Sequence, residues 1–410
     1  MRQRLPLRIA AAGLAAAAVA VAAWYGFGRD TDATSAFLAQ HWQRPLPAQG
    51  DPPAAYSALE RSLDPAACGS CHVQQHEDWR RSLHSRAMGP GIEWQFHLMT
   101  QAQANRCMDC HAPLAEQKAL VAQAFAWPQR PSSSAPDHVP ETLAHDGLVC
   151  AACHVRAHQR YGPPPRSGGA AQGAPHGGFV AAAAFEDSRF CAACHQFPPD
   201  GPATAGKLHE DTYAQWQASR YAAEGQSCQS CHMPDRRHQW QGIHSKDMVL
   251  KALDVRLELE PGADGRWRAQ ASLRNVGAGH FFPTYMVPEV TATLMLVDAD
   301  GREIRTLAQR VIGWRVGLDL DREIYDTRLP PGAALQFDAP LDVAADGSVV
   351  ELRVDVAPRE HYVRLFERSL ARDGARLDAG TLNLLRRARD EAAATRYEAL
   401  RLRAPLRRER

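Results

Sequence analysis

The chain has 410 residues, enough for two or three domains with a core each. Charged residues make up 23% and hydrophobic residues 45%, a globular balance that excludes wholesale disorder. A formal net charge of +1 gives no global attraction to nucleic acid, and no nucleic-acid partner is expected.

At the N-terminus Arg2, Arg4 and Arg8 precede an uncharged run from Ile9 to Gly28. The small residues Ala18-Val19-Ala20 or Val21-Ala22-Ala23 would suit cleavage of a signal peptide. The run is also long enough to span a bilayer, with Trp24, Tyr25 and Phe27 at the outer interface and the arginines inside. The expectation for residues 1–28 is an inner-membrane anchor, with a cleaved signal peptide as the alternative. Either outcome places the remainder in the periplasm. Residues 29–66 follow as a polar approach in which Pro45, Pro47, Pro52 and Pro53 forbid a long helix.

Residues 67–248 contain every cysteine of the chain, in five C-x-x-C pairs: Cys68/Cys71, Cys107/Cys110, Cys150/Cys153, Cys191/Cys194 and Cys228/Cys231. A histidine follows each pair, namely His72, His111, His154, His195 and His232. C-x-x-C-H is the attachment signature of c-type haem. Two thiols add across the two vinyl groups, and the next residue sets its imidazole under the iron as proximal ligand. A zinc knuckle has no use for a histidine after each pair, and a thioredoxin-like pair would occur once. Five covalently bound haem c groups are therefore expected. About forty residues separate successive motifs, too few to build a protein core around each porphyrin. The porphyrins themselves must then be the core, packed on short helices and loops. Two loops are expected within this region, at Pro128–Pro140 and Gly162–Gly178.

Thirteen histidines remain as candidates for the far side of each iron. His84, His145, His244 and His280 are the leading ones, with His176 in a Gly-rich loop as the fifth. His97, His138, His158 and His209 stand in reserve. His280 lies in Val276-Gly-Ala-Gly-His-Phe-Phe-Pro283, where Gly277 and Gly279 would let the backbone approach a flat cofactor. His361 reads as a surface residue, and Met233, directly after His232, as packing against porphyrin.

Beyond residue 248 the period becomes two. Leu253, Val255, Leu257 and Leu259 alternate with charged residues, and a turn at 261–265 leads to Trp267, Ala269, Ala271 and Leu273. The signal recurs at Val290–Leu296 and Val350–Val356, predicting a small antiparallel β-sandwich over 249–358. Residues 359–410 read as a basic tail, helical over about 378–403, with ten arginines against five acids from Arg376 onward. The fold class expected is α+β: a haem-packed, mostly α-helical and loop domain, then the sandwich, then a C-terminal helix.

Three segments carry a family resemblance. They are Cys68–Gln75 with Trp79-x-x-Ser82-x-His84; His145-x-Gly147-x-x-Cys150; and Trp216-x-x-Ser219 with Gly225-x-x-Cys228-x-x-Cys231-His232-Met233-Pro234. Over about 64–245 the chain resembles multihaem cytochromes of the c-552/c-554 type, a group related to hydroxylamine oxidoreductase and the octahaem reductases. The Gly-His-x-Phe-Pro-Thr segment resembles the C-terminal domain of some relatives. The resemblance implies distal ligation by His84 and His145. A fifth motif and an appended sandwich depart from the tetrahaem carriers, so a catalytic role does not carry over, and no catalytic residue is assigned.

The function expected is electron transfer along a chain of largely bis-histidine haems, between a membrane or periplasmic donor and a reductase or other acceptor. The partners expected are redox proteins. An alternative is an oxidoreductase acting on a small nitrogen or sulfur compound at one five-coordinate haem, with Tyr161, His97, His138 or His158 nearby.

Overall fold

The computed structural model describes residues 32–166, 175–261, 266–341 and 348–406. The expected anchor or signal at 1–28 lies outside the described residues. Among those described, no helix is long and apolar enough to cross a membrane.

The first region is built of short helices. Helix α1 spans Ala33–His41, α2 Val73–Arg81, α3 Pro90–Phe96, α4 Gln101–His111 and α5 Ala115–Ala124. Local chemistry sets their starts: Asp32 caps α1, and Thr100 with Gln103 forms a capping box on α4. Met108, Leu114, Leu143 and Phe96 share one apolar cluster. That cluster covers only the first half of the region. Between Val155 and Val249, Ala184 is the only buried hydrophobic residue among those described. Some ninety residues thus lack a hydrophobic core of their own, as expected where a bound group fills that place.

The second region is a sandwich of two antiparallel sheets. Strands β1 (Leu253–Pro261), β2 (Trp267–Asn275), β3 (Glu289–Val297), β4 (Glu303–Val316), β5 (Glu323–Asp326), β6 (Ala334–Leu341) and β7 (Val349–Ala357) come first. Helices α6 (Glu360–Asp373) and α7 (Ala379–Ala393) follow, and β8 (Tyr397–Pro405) closes the chain. One sheet has the order β5-β4-β3-β7-β8, the other β6-β2-β1. Leu352 of β7 lies opposite Leu294 of β3 and Leu402 of β8, so one apolar row crosses the central strands. Ala269, Ala271 and Leu273 of β2 meet that row in a single core. The fold is α+β.

The C-terminal part departs from expectation. The helix ends at Ala393, and Tyr397–Pro405 is a strand on the edge of β7. The sheet needs Ala399 inside, at 0% exposed, and the alternation Leu400, Arg401, Leu402, Arg403 suits a half-buried edge better than a helix. The sandwich thus takes its last strand from beyond residue 358. His361 is no surface residue: it is 3% exposed, on the inner side of α6. Helices α6 and α7 pack with α3 through Phe366, Leu385, Ala388 and Trp94, which seats the C-terminal hairpin on the first region.

Candidate haem-binding site

One cavity of about 3420 Å³ runs through the first region, bordered by residues of all five C-x-x-C-H motifs. Four motifs lie in helical turns: Gln101–His111, Cys150–His154, Arg189–His195 and Cys228–His232. The first begins inside the short helix Pro65–Gly69, which holds Cys68, and Cys71 and His72 follow its end. One helical turn brings residues three and four apart onto the same face, so both sulfurs and the imidazole are presented together.

Ring nitrogens tell which histidines are free to bind a metal. The Nδ1 of His111 is 2.8 Å from the Ala87 carbonyl oxygen, that of His154 2.8 Å from Tyr161 O, and that of His232 2.6 Å from Gln241 O. His280, His238 and His176 do likewise, to Phe281 O, Arg236 O and Gly178 O. Each such bond fixes the ring and leaves Nε2 as the free donor. His195 differs: its Nδ1 faces the Glu210 carboxylate at 3.9 Å. Desolvation opposes charge on His195, but Glu210, together with Cys110 and Cys228, raises the pKa.

Three of the motif histidines face a second imidazole. Ring centroids are 6.1 Å apart for His154 and His238, 6.4 Å for His195 and His84, and 6.3 Å for His232 and His280. Two imidazoles on opposite sides of one metal, each at about 2 Å, require a centroid separation of about 6 Å. Burial holds His84 down to about 3, and His154 and His280 to about 4, so all three rings are neutral, as ligation requires. At the first motif, the charge of His176 helps to lower the pKa of His72, after desolvation. The His176 loop is tied down by Glu60 Oε1, which accepts from His176 N at 2.7 Å, and by the Tyr56 hydroxyl, which donates to His176 O at 2.9 Å. The donor set, the neutral rings and the missing protein core all fit covalently held haem.

The other histidine candidates fare differently. His145 is exposed at the cavity rim, 3.9 Å from Glu93, and His244 lies near Arg359 and Arg86. Neither faces a motif histidine at ligating separation among the described residues. His158 spends Nε2 on Gly50 O and stacks edgewise on His138, and His209 spends Nε2 on Thr204. His97 packs on Phe125. His238 is one of the thirteen remaining histidines, but nothing in the sequence singles it out. The loop that brings it in has left-handed backbone at Asp235, Arg236 and Trp240, and Asp78 holds it through Arg237 (2.6 and 2.7 Å) and through His238 N (3.1 Å).

Gly277 and Gly279 are places of close approach between protein segments. A Cβ on Gly277 would lie 2.0 Å from Lys251 O, and one on Gly279 3.2 Å from Trp216 and Tyr221. The missing Cβ at each makes room for protein neighbours, and both glycines border the cavity. Gly147 in His145-x-Gly147 is similar, since a Cβ there would lie 2.1 Å from His84 O. The two resemblance motifs therefore interlock, with Leu148 N donating to His84 O at 2.9 Å and the Trp79 indole N–H to Leu148 O at 2.6 Å.

A family model described as cytochrome c554 and c-prime matches residues 67–127. Among solved structures the chain is similar to a penta-heme cytochrome c552 from Thermochromatium tepidum, at 18% identity and a TM-score of 0.56. That likeness covers 85% of this chain and 100% of the other. No curated protein matches. The site geometry, the family match and the likeness of fold together support a multihaem c-type cytochrome with covalently bound haem c.

Proposed function

We propose that the chain is a periplasmic pentahaem electron carrier that passes electrons between redox proteins. The observation that carries this reading is contact between motifs. Cys68 and Cys150, Cys110 and Cys194, and Cys191 and Cys228 are near enough for one thiol to shift the ionisation of the other. Cys153 is an electrostatic neighbour of both Cys191 and Cys194. Motifs one, three, four and five thus form a line, and motif two branches from motif four. Cys71 and Cys231, near the ends of that line, are the two exposed cysteines among the ten. Haem bound there supplies a one-electron couple, and paired imidazoles favour a low-spin iron that stays six-coordinate. The residues contribute fixed spacing and imidazole ligands, neutral at His84, His154 and His280. Reductive titration of the matured protein should take up five electrons per chain, and a single-electron pulse should redistribute among the haems without mediator. Redistribution only on collision between molecules would contradict the reading.

A second reading, an oxidoreductase of a small nitrogen or sulfur compound, is favoured by the lining near the second motif. Tyr285, Tyr362, Arg359 and His244 border the cavity, and Tyr362 is an electrostatic neighbour of Cys107. Burial pushes the Tyr285 phenol up, so it remains a hydrogen-bond donor, and it holds His244 to about 4. A high-spin ferric EPR signal near one-fifth of total haem, abolished by nitrite or hydroxylamine, would support it; a purely low-spin spectrum would remove it.

A further inference from the structure

The haem region repeats one turn. Ser82 Oγ donates to Trp79 O at 2.7 Å, and Ser219 Oγ to Trp216 O at 2.7 Å. The indole N–H of Trp79 donates to Leu148 O, and that of Trp216 to Gln226 O at 2.9 Å. Each acceptor stands two residues before a motif cysteine, Cys150 or Cys228. Two residues beyond the serine the copies diverge. The first has His84, whose ring faces His195. The second has Tyr221, which offers no ring nitrogen.

Tyr221 instead turns to the sandwich. Its hydroxyl donates to Val276 O, and its ring lies against Gly279. Six residues earlier, Gln215 Oε1 accepts from Phe281 N at 3.0 Å and from the Thr284 hydroxyl at 3.1 Å. From within the sandwich, Asn275, 0% exposed, donates through Nδ2 to His280 O at 3.0 Å and accepts from Ala278 N at 3.1 Å. The segment 276–281 is therefore gripped on both sides of His280, by the haem region at Val276 and Phe281 and by its own sheet between them.

We propose that Gln215 and Tyr221 are positioning residues, forming a latch that sets His280 against His232 where the second copy of the turn lacks a histidine. The proposal rests on the reading that His232 and His280 hold one haem iron. The chain thus uses the same turn twice: once to present an imidazole directly, and once to clamp the loop that presents one. A purely structural contact would contribute to stability alone. A latch must also change how firmly the sixth ligand is held.

The test uses the full-length matured protein and added imidazole as probe, read by optical difference spectra and low-temperature EPR. His280→Ala should convert one haem of five to high spin. The double variant Gln215→Ala/Tyr221→Phe should keep its haem content but bind imidazole at one haem about five- to tenfold more tightly per hydrogen bond lost. Tyr221→Phe alone keeps the ring on Gly279 and should show the smaller part of that change; it also serves if the double variant is not recovered. Gln215→Glu, which keeps an acceptor for Phe281 N, should stay near the unsubstituted value. If His280→Ala leaves every haem low-spin, the ligand reading itself fails. If His280→Ala opens one haem but neither latch variant alters imidazole binding, the latch is wrong and the ligand reading stands.

Discussion

His232 and His280 face each other with ring centroids 6.3 Å apart and planes 13° from parallel, although one belongs to a haem motif and the other to the loop after β2. An iron held between them would tie the sandwich to the haem region by a coordination bond. Truncation after Lys251 removes His280 along with the sandwich. It should produce the same single high-spin haem as His280→Ala, measured by EPR on protein with full haem content. Five low-spin haems in the truncated chain would contradict the pairing.

Asp78 acts on the third motif at a distance. It is 7% exposed at the side chain and binds Arg237 twice, which holds the strained loop carrying His238. Asp78→Ala should cost about 1–3 kcal/mol of stability, less than a fully buried pair because Arg237 is partly exposed. It should also let one haem take up added imidazole. Denaturant titration gives the first effect and difference spectra the second. A loss of stability with no spectral change would show that His238 does not depend on the loop's anchor.

Among the described residues, Glu210 is the one carboxylate facing a motif histidine across Nδ1. A negative charge there increases the basicity of His195 and favours the oxidised iron. Glu210→Gln should raise one midpoint potential by on the order of 60 mV, a tenfold change for a one-electron couple. Spectroelectrochemical titration resolves it. An unchanged set of five potentials would remove the tuning role.

Acid stability should depend on Asp326, which binds Lys207 of the haem region at 2.7 Å and Arg328 at 2.8 Å. Burial raises this carboxyl, but the hydrogen bonds from Arg328 and Lys207 outweigh it and bring it to about 2, below the ordinary 3.8. The folded value is the lower one, so the stabilisation is complete above about pH 4 and is lost as pH falls toward 2. It amounts to on the order of 2 kcal/mol. Asp326→Asn should be less stable at pH 6 and show a flatter loss between pH 4 and 2. Parallel curves for the two proteins would contradict the assignment.

Much of the site was legible because covalent haem attachment writes a local code. Spacing alone marked Cys68 through His232, whose motifs border the cavity, and local neighbours marked His84 and His280, whose rings face His195 and His232. His238 was not legible, because it sits in a short Pro234–Trp240 stretch whose left-handed residues and Asp78 anchor are invisible as a pattern. The strands of the sandwich followed their alternation at Leu253, Val290 and Val350. The final strand was masked by its arginines and by apolar residues that also fit a helix. Gly277 and Gly279 were recognisable as sites of close approach, but a sequence does not say what approaches. Here it is Lys251, Trp216 and Tyr221.

The most direct test of the account is haem stoichiometry, because covalent attachment at all five motifs underlies every step of the electron path. A pyridine haemochrome assay on denatured, matured protein should find five haems per chain, retained after acid–acetone extraction. Three or fewer, or haem released by the extraction, would contradict it.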